Sequence, residues 1–354
     1  MNSRAVFKGA GVLIAFLLGS GFATGQEVLQ FFASHGDKGL VGAAIAFTLC
    51  AYIASTLFSA GQKAHFRNSQ DVFTYYGGVQ FGRWFTWYTM IVVYGAYCLM
   101  VAGGGAVLNE NHGTPIWVGS AILSALTLGA LFFGLDRLMA LISLVGPLLI
   151  VFIISISLTT LLRDPTAAFE GASEASGMTL YRASEYWWWS GALYAALQGV
   201  AMFSFLPAVG STLASHREAV YSATIGIVVY FVALVLVVLA LFVELPNLQG
   251  KMIPMLQLAQ TTLPIIGDLF TAAIMLGIFS TIAPLLWVVL VKFTEDGSIR
   301  YRVLTVALST AGFFASQYMP FDQFINIVYP TIGYSGMLLV VLMAVLHYKE
   351  LRGR

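Results

Sequence analysis

Charge is what this sequence has least of. Only 9% of its 354 residues are Asp, Glu, Lys or Arg, where an average soluble chain carries about 25%. A surface facing water needs roughly 25–35% of such residues. The shortage argues against a soluble enzyme, a nucleic-acid binder and a disordered chain. Cysteine is nearly absent too. Cys50 and Cys98 both sit in apolar runs and read as small core residues rather than a disulfide. The five histidines, His35, His65, His112, His216 and His347, are scattered over loops and helix ends and make no metal set. No nucleophile has an evident base, and no phosphate-cradling loop precedes a Lys and Ser/Thr pair. Gly103-Gly104-Gly105 lies inside an apolar run and reads as a packing feature. Enzymatic activity is therefore not expected.

What the chain has is apolar length. Hydrophobic residues make up 59% of it and its mean hydropathy is +0.85, as in an integral membrane protein. A helix needs about 20 apolar residues to cross the hydrocarbon. Ten such stretches lie near 5–33, 38–61, 83–108, 116–134, 138–162, 187–213, 218–243, 262–292, 301–316 and 323–347. They are long and continuous, so an all-α polytopic bundle is expected rather than a barrel. Arg4 and Lys8 precede the first run as in a signal peptide. No small-residue cleavage site ends that run, so it is read as the first span.

Lys and Arg concentrate on the cytoplasmic side of a membrane protein. With ten spans and an inside N-terminus, 13 of the 17 basic residues fall inside. The expected protein is thus multi-pass in the cell (inner or plasma) membrane, with both termini cytoplasmic. Residues 163–186 form the longest outer loop, followed by Trp187, Trp188 and Trp189, an aromatic anchor at the interface. The inner segment 62–82 has room for a short surface helix. The outer segment 244–261, with Pro246 and Pro254, suits a short capping element.

Spans 1–5 fill residues 1–162 and spans 6–10 fill 187–354, tail included. Two halves of five spans must be inverted relative to each other, the plan of many secondary transporters. That plan predicts a broken first helix in each half, because unwound backbone binds substrate there. Span 1 carries Gly19-Ser20-Gly21-Phe22-Ala23-Thr24-Gly25, and each glycine costs roughly 1 kcal/mol of helix stability relative to Ala. Span 6 carries Gln198-Gly199 and Pro207 at the equivalent place. Close packing between membrane helices is the plain alternative for any one glycine.

These residues carry a resemblance. Gly19-Ser20-Gly21 resembles the helix break of the amino acid–polyamine–organocation superfamily, which has the LeuT-type fold. The string from Leu18 to Glu27, LGSGFATGQE, is similar to that of the bacterial YkvI-type membrane proteins. The resemblance implies a 5+5 inverted repeat with helices 1 and 6 broken. It implies that the backbone N–H groups of Ser20, Gly21 and Phe22 hold a substrate carboxylate. From span 6 it implies that Gln198, Gly199 and Phe203 line the other end of the substrate. Tyr94 and Tyr97 on span 3 share a face and are either substrate-facing phenols or packed core residues.

The resemblance also implies a sodium site. In sodium-coupled members a small residue followed by two hydroxyls three and four positions on forms half of it, which Gly277, Ser280 and Thr281 match. Carbonyls at Ala15 and Leu18 would form the other half. The alternative is that Ser280 and Thr281 bond back to their own helix. Proton-coupled relatives place a lysine on helix 5, and span 5 has none. Ionisable residues within a span are costly and functional by default. Glu27 is the strongest case: it is open to binding a substrate amine, carrying a proton, serving an outer gate, or lying on a wet helix turn. Asp268 is expected to face the outer vestibule.

The expected function is sodium-coupled symport of a small amino acid or a related carboxylate or amine. The expected partners are that small molecule and the bilayer, with no nucleic acid, organic cofactor or obligate protein partner. A non-transporting receptor of the same fold, a facilitator, and a proton-coupled transporter using Glu27 are the rivals.

Overall fold

The computed structural model describes residues 2–66, 68–133, 136–262 and 266–352. Arg67 and Arg354 of the inner basic set lie outside the described residues, as does the side chain of Arg137. Among the described residues every apolar stretch is mainly helical: in lipid no water is present to satisfy a free backbone group.

The first stretch is three helices, α1 (Ser3–Leu17), α2 (Ser20–Thr24) and α3 (Gln26–Phe31). Then come α4 (Asp37–Ala64), α5 (Ser69–Gly77), α6 (Val79–His112), α7 (Ile116–Phe133), α8 (Asp136–Arg163) and α9 (Pro165–Glu174). The rest is α10 (Trp187–Gly210), α11 (His216–Val243), α12 (Pro254–Thr262), α13 (Gly267–Phe293), α14 (Ile299–Ser316) and α15 (Phe321–Arg352). Among the described residues seven helices are long and apolar enough to cross a membrane: α4, α6, α8, α10, α11, α13 and α15. α7 is shorter and apolar; the first helix is interrupted, and α14 opens with Arg300 and Arg302. The chain is a helical, multi-pass membrane protein. Short helices, α5 and α12, fall where a surface helix and a capping element were expected.

The sequence reading of the sixth span needs correction. α10 runs unbroken from Trp187 to Gly210, through Gly199 and Pro207. The reason lies in its packing. α10 and α4 are in backbone contact along their length. A Cβ on Gly191 would strike the carbonyl of Gly42, one on Gly210 the carbonyl of Phe58, and one on Gly61 the backbone of Pro207. Small residues let membrane helices approach this closely. Tight packing outweighs the propensity cost of one glycine, and Pro207 lies in the last turn, where its missing N–H removes a single bond.

Both chain ends lie at one end of the bundle. The Asn2 N–H donates to Glu218 at the start of α11 over 2.7 Å, and His347 near the C-terminus shares a cavity with His216. The other end is covered by α9, α12 and their flanking turns, which pack on α8, α11 and the first helix.

Candidate functional site

The interruption of the first helix has a backbone cause at each end. α1 stops at Leu18, whose N–H bonds Ile14 O at 2.9 Å. Gly19 is extended, and Gly25 has φ of +78°, a region that favours glycine. The first bond within α2 runs from Ala23 N–H to Gly19 O at 3.1 Å. The N–H groups of Ser20, Gly21 and Phe22 precede it, so no helical carbonyl is available to them. At the other side of the gap the last carbonyls of α1, those of Ala15 and its neighbours, have run out of helical donors for the same reason.

This break meets α13. The hydroxyls of Ser20 and Thr281 are 2.9 Å apart. Ser280 Oγ donates to Gly277 O at 2.7 Å and Thr281 Oγ1 to the same carbonyl at 3.0 Å. The back-bonding foreseen as the plain alternative is therefore present, and one residue expected to hold substrate, Ser20, meets one expected to hold the ion, Thr281. Leu18 is buried, while Ala15 is exposed on the last turn of α1. Three hydroxyls and a carbonyl gathered beside a helix C-terminus fit a hard cation that takes oxygen ligands. No group of three His, Cys, Asp or Glu side chains offers another metal site among the described residues.

Glu27 lies on the other side of Gly21. It is 4% exposed. Tyr194 donates its hydroxyl to Glu27 Oε1 at 3.1 Å and is hydrogen-bonded to the Tyr230 hydroxyl. Gln198 Nε2 donates to Tyr230 at 3.3 Å, and the Phe22 ring lies 5.6 Å from that of Tyr230. Gly21 makes room for the group: a Cβ there would sit 2.8 Å from the Tyr329 hydroxyl and 3.2 Å from Glu27 Oε2. The reading of Glu27 as a wet helix turn is thereby corrected: the carboxylate is buried among phenols. Among the described residues no Lys, Arg or His pairs with it.

The far end is roofed over this site. α12 sits on the break, where a Cβ on Gly25 would be 2.7 Å from Met255 Cγ. Glu110 at the end of α6 anchors the approach to α12 by accepting the Ile253 N–H at 3.1 Å. Gln30 donates to Asp322 O at 2.8 Å, Asn326 to Gln30 Oε1 at 3.1 Å, and Arg182 to Ser34 O at 3.0 Å. Nearby His35 is held neutral, its pKa lowered to about 4 first by burial and then by the Arg182 charge. Asp268 is exposed and takes a 2.7 Å bond from Asn111.

Some expected residues are elsewhere. Tyr94 donates to Leu308 O at 2.9 Å and the Tyr97 hydroxyl meets Ser309 at 3.2 Å. Both are packed against α14, as the structural alternative had it. Phe203 is buried in a ring cluster with Phe73 and Tyr76 of α5, toward the terminal end, and Gly199 faces Ile53. Four contributors went unread in the sequence: Tyr194, Tyr230, Tyr329 and Met100, whose sulfur lies 3.6 Å from Ser20 Oγ. Tyr194 sits four residues before Gln198 on one helix face, and Met100 one turn beyond Tyr97. Those spacings were the available signal.

Two proteins of Bacillus subtilis (strain 168) resemble the chain. The uncharacterised membrane protein YkvI is 22% identical over 331 residues, 93% of this chain and 92% of its own length. The protein YyaD is 24% identical over 147 residues, 42% of either chain. This is a multi-pass membrane protein similar to YkvI. No protein-family profile matches the chain.

Proposed function

We propose that the chain is a secondary active transporter of LeuT type, coupling sodium to the uptake of a small amino acid or related carboxylate or amine. The observation that carries this reading is the interrupted first helix meeting α13 at Ser20 and Thr281, with buried Glu27 across Gly21.

Helix pairing supports a 5+5 inverted repeat, residues 1–162 and 187–354, joined by 163–186. The first helix packs on α11 as α10 packs on α4, so span 1 meets span 7 and span 6 meets span 2. α4 with α11, α6 with α13, and α7 with α14 also pack together. Exchanging the halves leaves those three pairings unchanged. In this reading all ten helices cross the membrane, with both termini inside.

The N–H groups of Ser20, Gly21 and Phe22 would receive the substrate carboxylate, since a helix start favours an anion. Glu27 and the phenols around it would receive an amine. A sodium ion between Ala15, Leu18, Gly277, Ser280 and Thr281 would add positive charge that ties the first helix to α13. α4, α10, α11 and the first helix would then rock against α6, α7, α13 and α14. A ligand shifts that equilibrium only by its difference in affinity for the two states. Burial of Glu27 with no basic partner favours a second reading, in which Glu27 carries a proton instead.

The test is the melting of the purified protein in sodium chloride and in choline chloride at equal ionic strength. The expected result is a sodium-specific rise, about 2.7 kcal/mol at 100 times the dissociation constant, that is lost in Thr281→Ala. Equal curves refute sodium coupling. The proton reading then requires that Glu27→Gln abolish the pH response of uptake into vesicles. A protein that binds but accumulates nothing under either gradient is a receptor.

A further inference from the structure

A cavity of about 800 Å³ lies at the terminal end of the bundle, away from the break in the first helix. Its walls are α4, α11 and α15, with α5 across one side. Its rim carries Lys63, His216 and His347, and no Asp or Glu is among its lining residues. His216 opens α11 directly after the N-cap Ser215, and the Glu218 carboxylate in the same turn is buried and taken up by the Asn2 and Ala214 N–H groups. The His347 ring stacks against Tyr52 of α4, with centroids 6.0 Å apart and planes 6° from parallel.

Below the rim the lining is mixed, with Tyr52, Ser55 and Thr56 on the α4 side and apolar residues from α11 and α15 opposite. Ala51, Ala60, Val220, Met343 and Leu346 line it. From Lys63 down to Ala51 it follows α4 for about 18 Å, at 1.5 Å per residue. Ser59 also lines it, is 8% exposed, and its hydroxyl has no hydrogen-bond partner among the described residues. An unpaired buried hydroxyl marks a place where a polar ligand atom belongs.

We propose that this cavity binds an anionic phospholipid from the leaflet on the side of the chain termini. The phosphate lies among Lys63, His216 and His347. A glycerol or ester oxygen meets Ser59. One acyl chain runs past Val220, Met343 and Leu346 toward Ala51. Basic pockets between membrane helices suit such headgroups. A soluble phosphate would leave Val220, Met343 and Leu346 without an apolar partner. A zwitterionic lipid would bring an ammonium that no Asp or Glu of the lining receives. The site is separate from Ser20, Glu27 and Thr281, so it stands independently of the transport reading.

The test is native mass spectrometry of the purified full chain, titrated in detergent with phosphatidylglycerol, phosphatidylcholine or inorganic phosphate. The expected result is retention of one phosphatidylglycerol, about tenfold over phosphatidylcholine, with no competition from millimolar phosphate. Lys63→Gln should lower that retention about fivefold, the effect of one basic charge at an anionic surface. His347→Gln should lower it further. Lys63 and His347 are exposed, so both variants should fold. Ala51→Phe, which fills the deep end without touching the charges, should weaken phosphatidylglycerol as well. Equal retention of the two lipids, competition by phosphate, or unchanged retention in all three variants would each overturn the proposal.

Discussion

The first helix and α10 contain the same kind of helix-breaking sequence, yet one is broken and the other is not. Three glycines within seven residues divide the first helix, and Gly25 adopts a backbone angle of +78°. A glycine and a proline eight residues apart leave α10 continuous from Trp187 to Gly210. The difference lies in what surrounds them. α10 has backbone neighbours on two sides, α4 through Gly191 and Gly210, and α15 through Gly336. The first helix has polar neighbours at its gap: Thr281, Glu27 and the Tyr329 hydroxyl. A weak helix former breaks a membrane helix where polar partners await the freed groups; where another backbone presses against it, the helix survives.

The largest effect expected from breaking this comparison comes from exchanging glycines for alanine. Gly25→Ala forces a side chain into a left-handed angle and against Met255 Cγ at 2.7 Å. Together these should cost about 2–4 kcal/mol, with loss of uptake. Gly199→Ala meets only Ile53, at 3.4 Å, and should stabilise by up to about 1 kcal/mol. Thermal melts of the two variants decide it: if Gly25→Ala melts like the parent, the angle at Gly25 does not maintain the break.

A smaller contrast separates the phenols that reach the break from those that do not. Tyr194→Phe removes the donor to Glu27 Oε1 and should cost about 1–3 kcal/mol, the penalty of an unsatisfied buried group. It should also raise the KM for uptake. Tyr97→Phe removes one bond to Ser309, and should cost about 1 kcal/mol or less with KM unchanged. A shift in KM for Tyr97→Phe would return that residue to the site.

The smallest effect is one of pH, on the roof over the break. His35 titrates near 4 when folded against an ordinary 6.5. The unfolded chain therefore binds more protons between those values, and folding stability falls as pH drops from about 6.5 toward 4. Above 6.5 the contribution is complete. His35→Gln should flatten the acid side of a melting-temperature profile; an unchanged slope would exclude His35 as its source.

The helices were legible because lipid demands long apolar runs: among the described residues each expected stretch is mainly helical, and seven are long and apolar enough to cross a membrane. The break in the first helix was legible because Gly19, Gly21 and Gly25 sit together. The sixth helix was misread because glycine has two uses, loosening a backbone and admitting a neighbour, and sequence alone does not separate them. Tyr230 and Tyr329 were not legible at all. They reach Glu27 from elements about 200 and 300 positions along the chain, and no local spacing announces them. Tyr94 and Tyr97 stayed open in the sequence for the converse reason: a shared helix face says which residues point together, not toward which neighbour.

The seam between α4 and α10 also has a consequence for how the sequence can change. Gly42 and Gly61 come from one half of the chain, Gly191 and Gly210 from the other, and each meets the opposite backbone. A methyl group added on one side must be answered by ground given on the other. Along this line the two halves are not free to diverge separately. A mutation in either is inherited, sterically, by both.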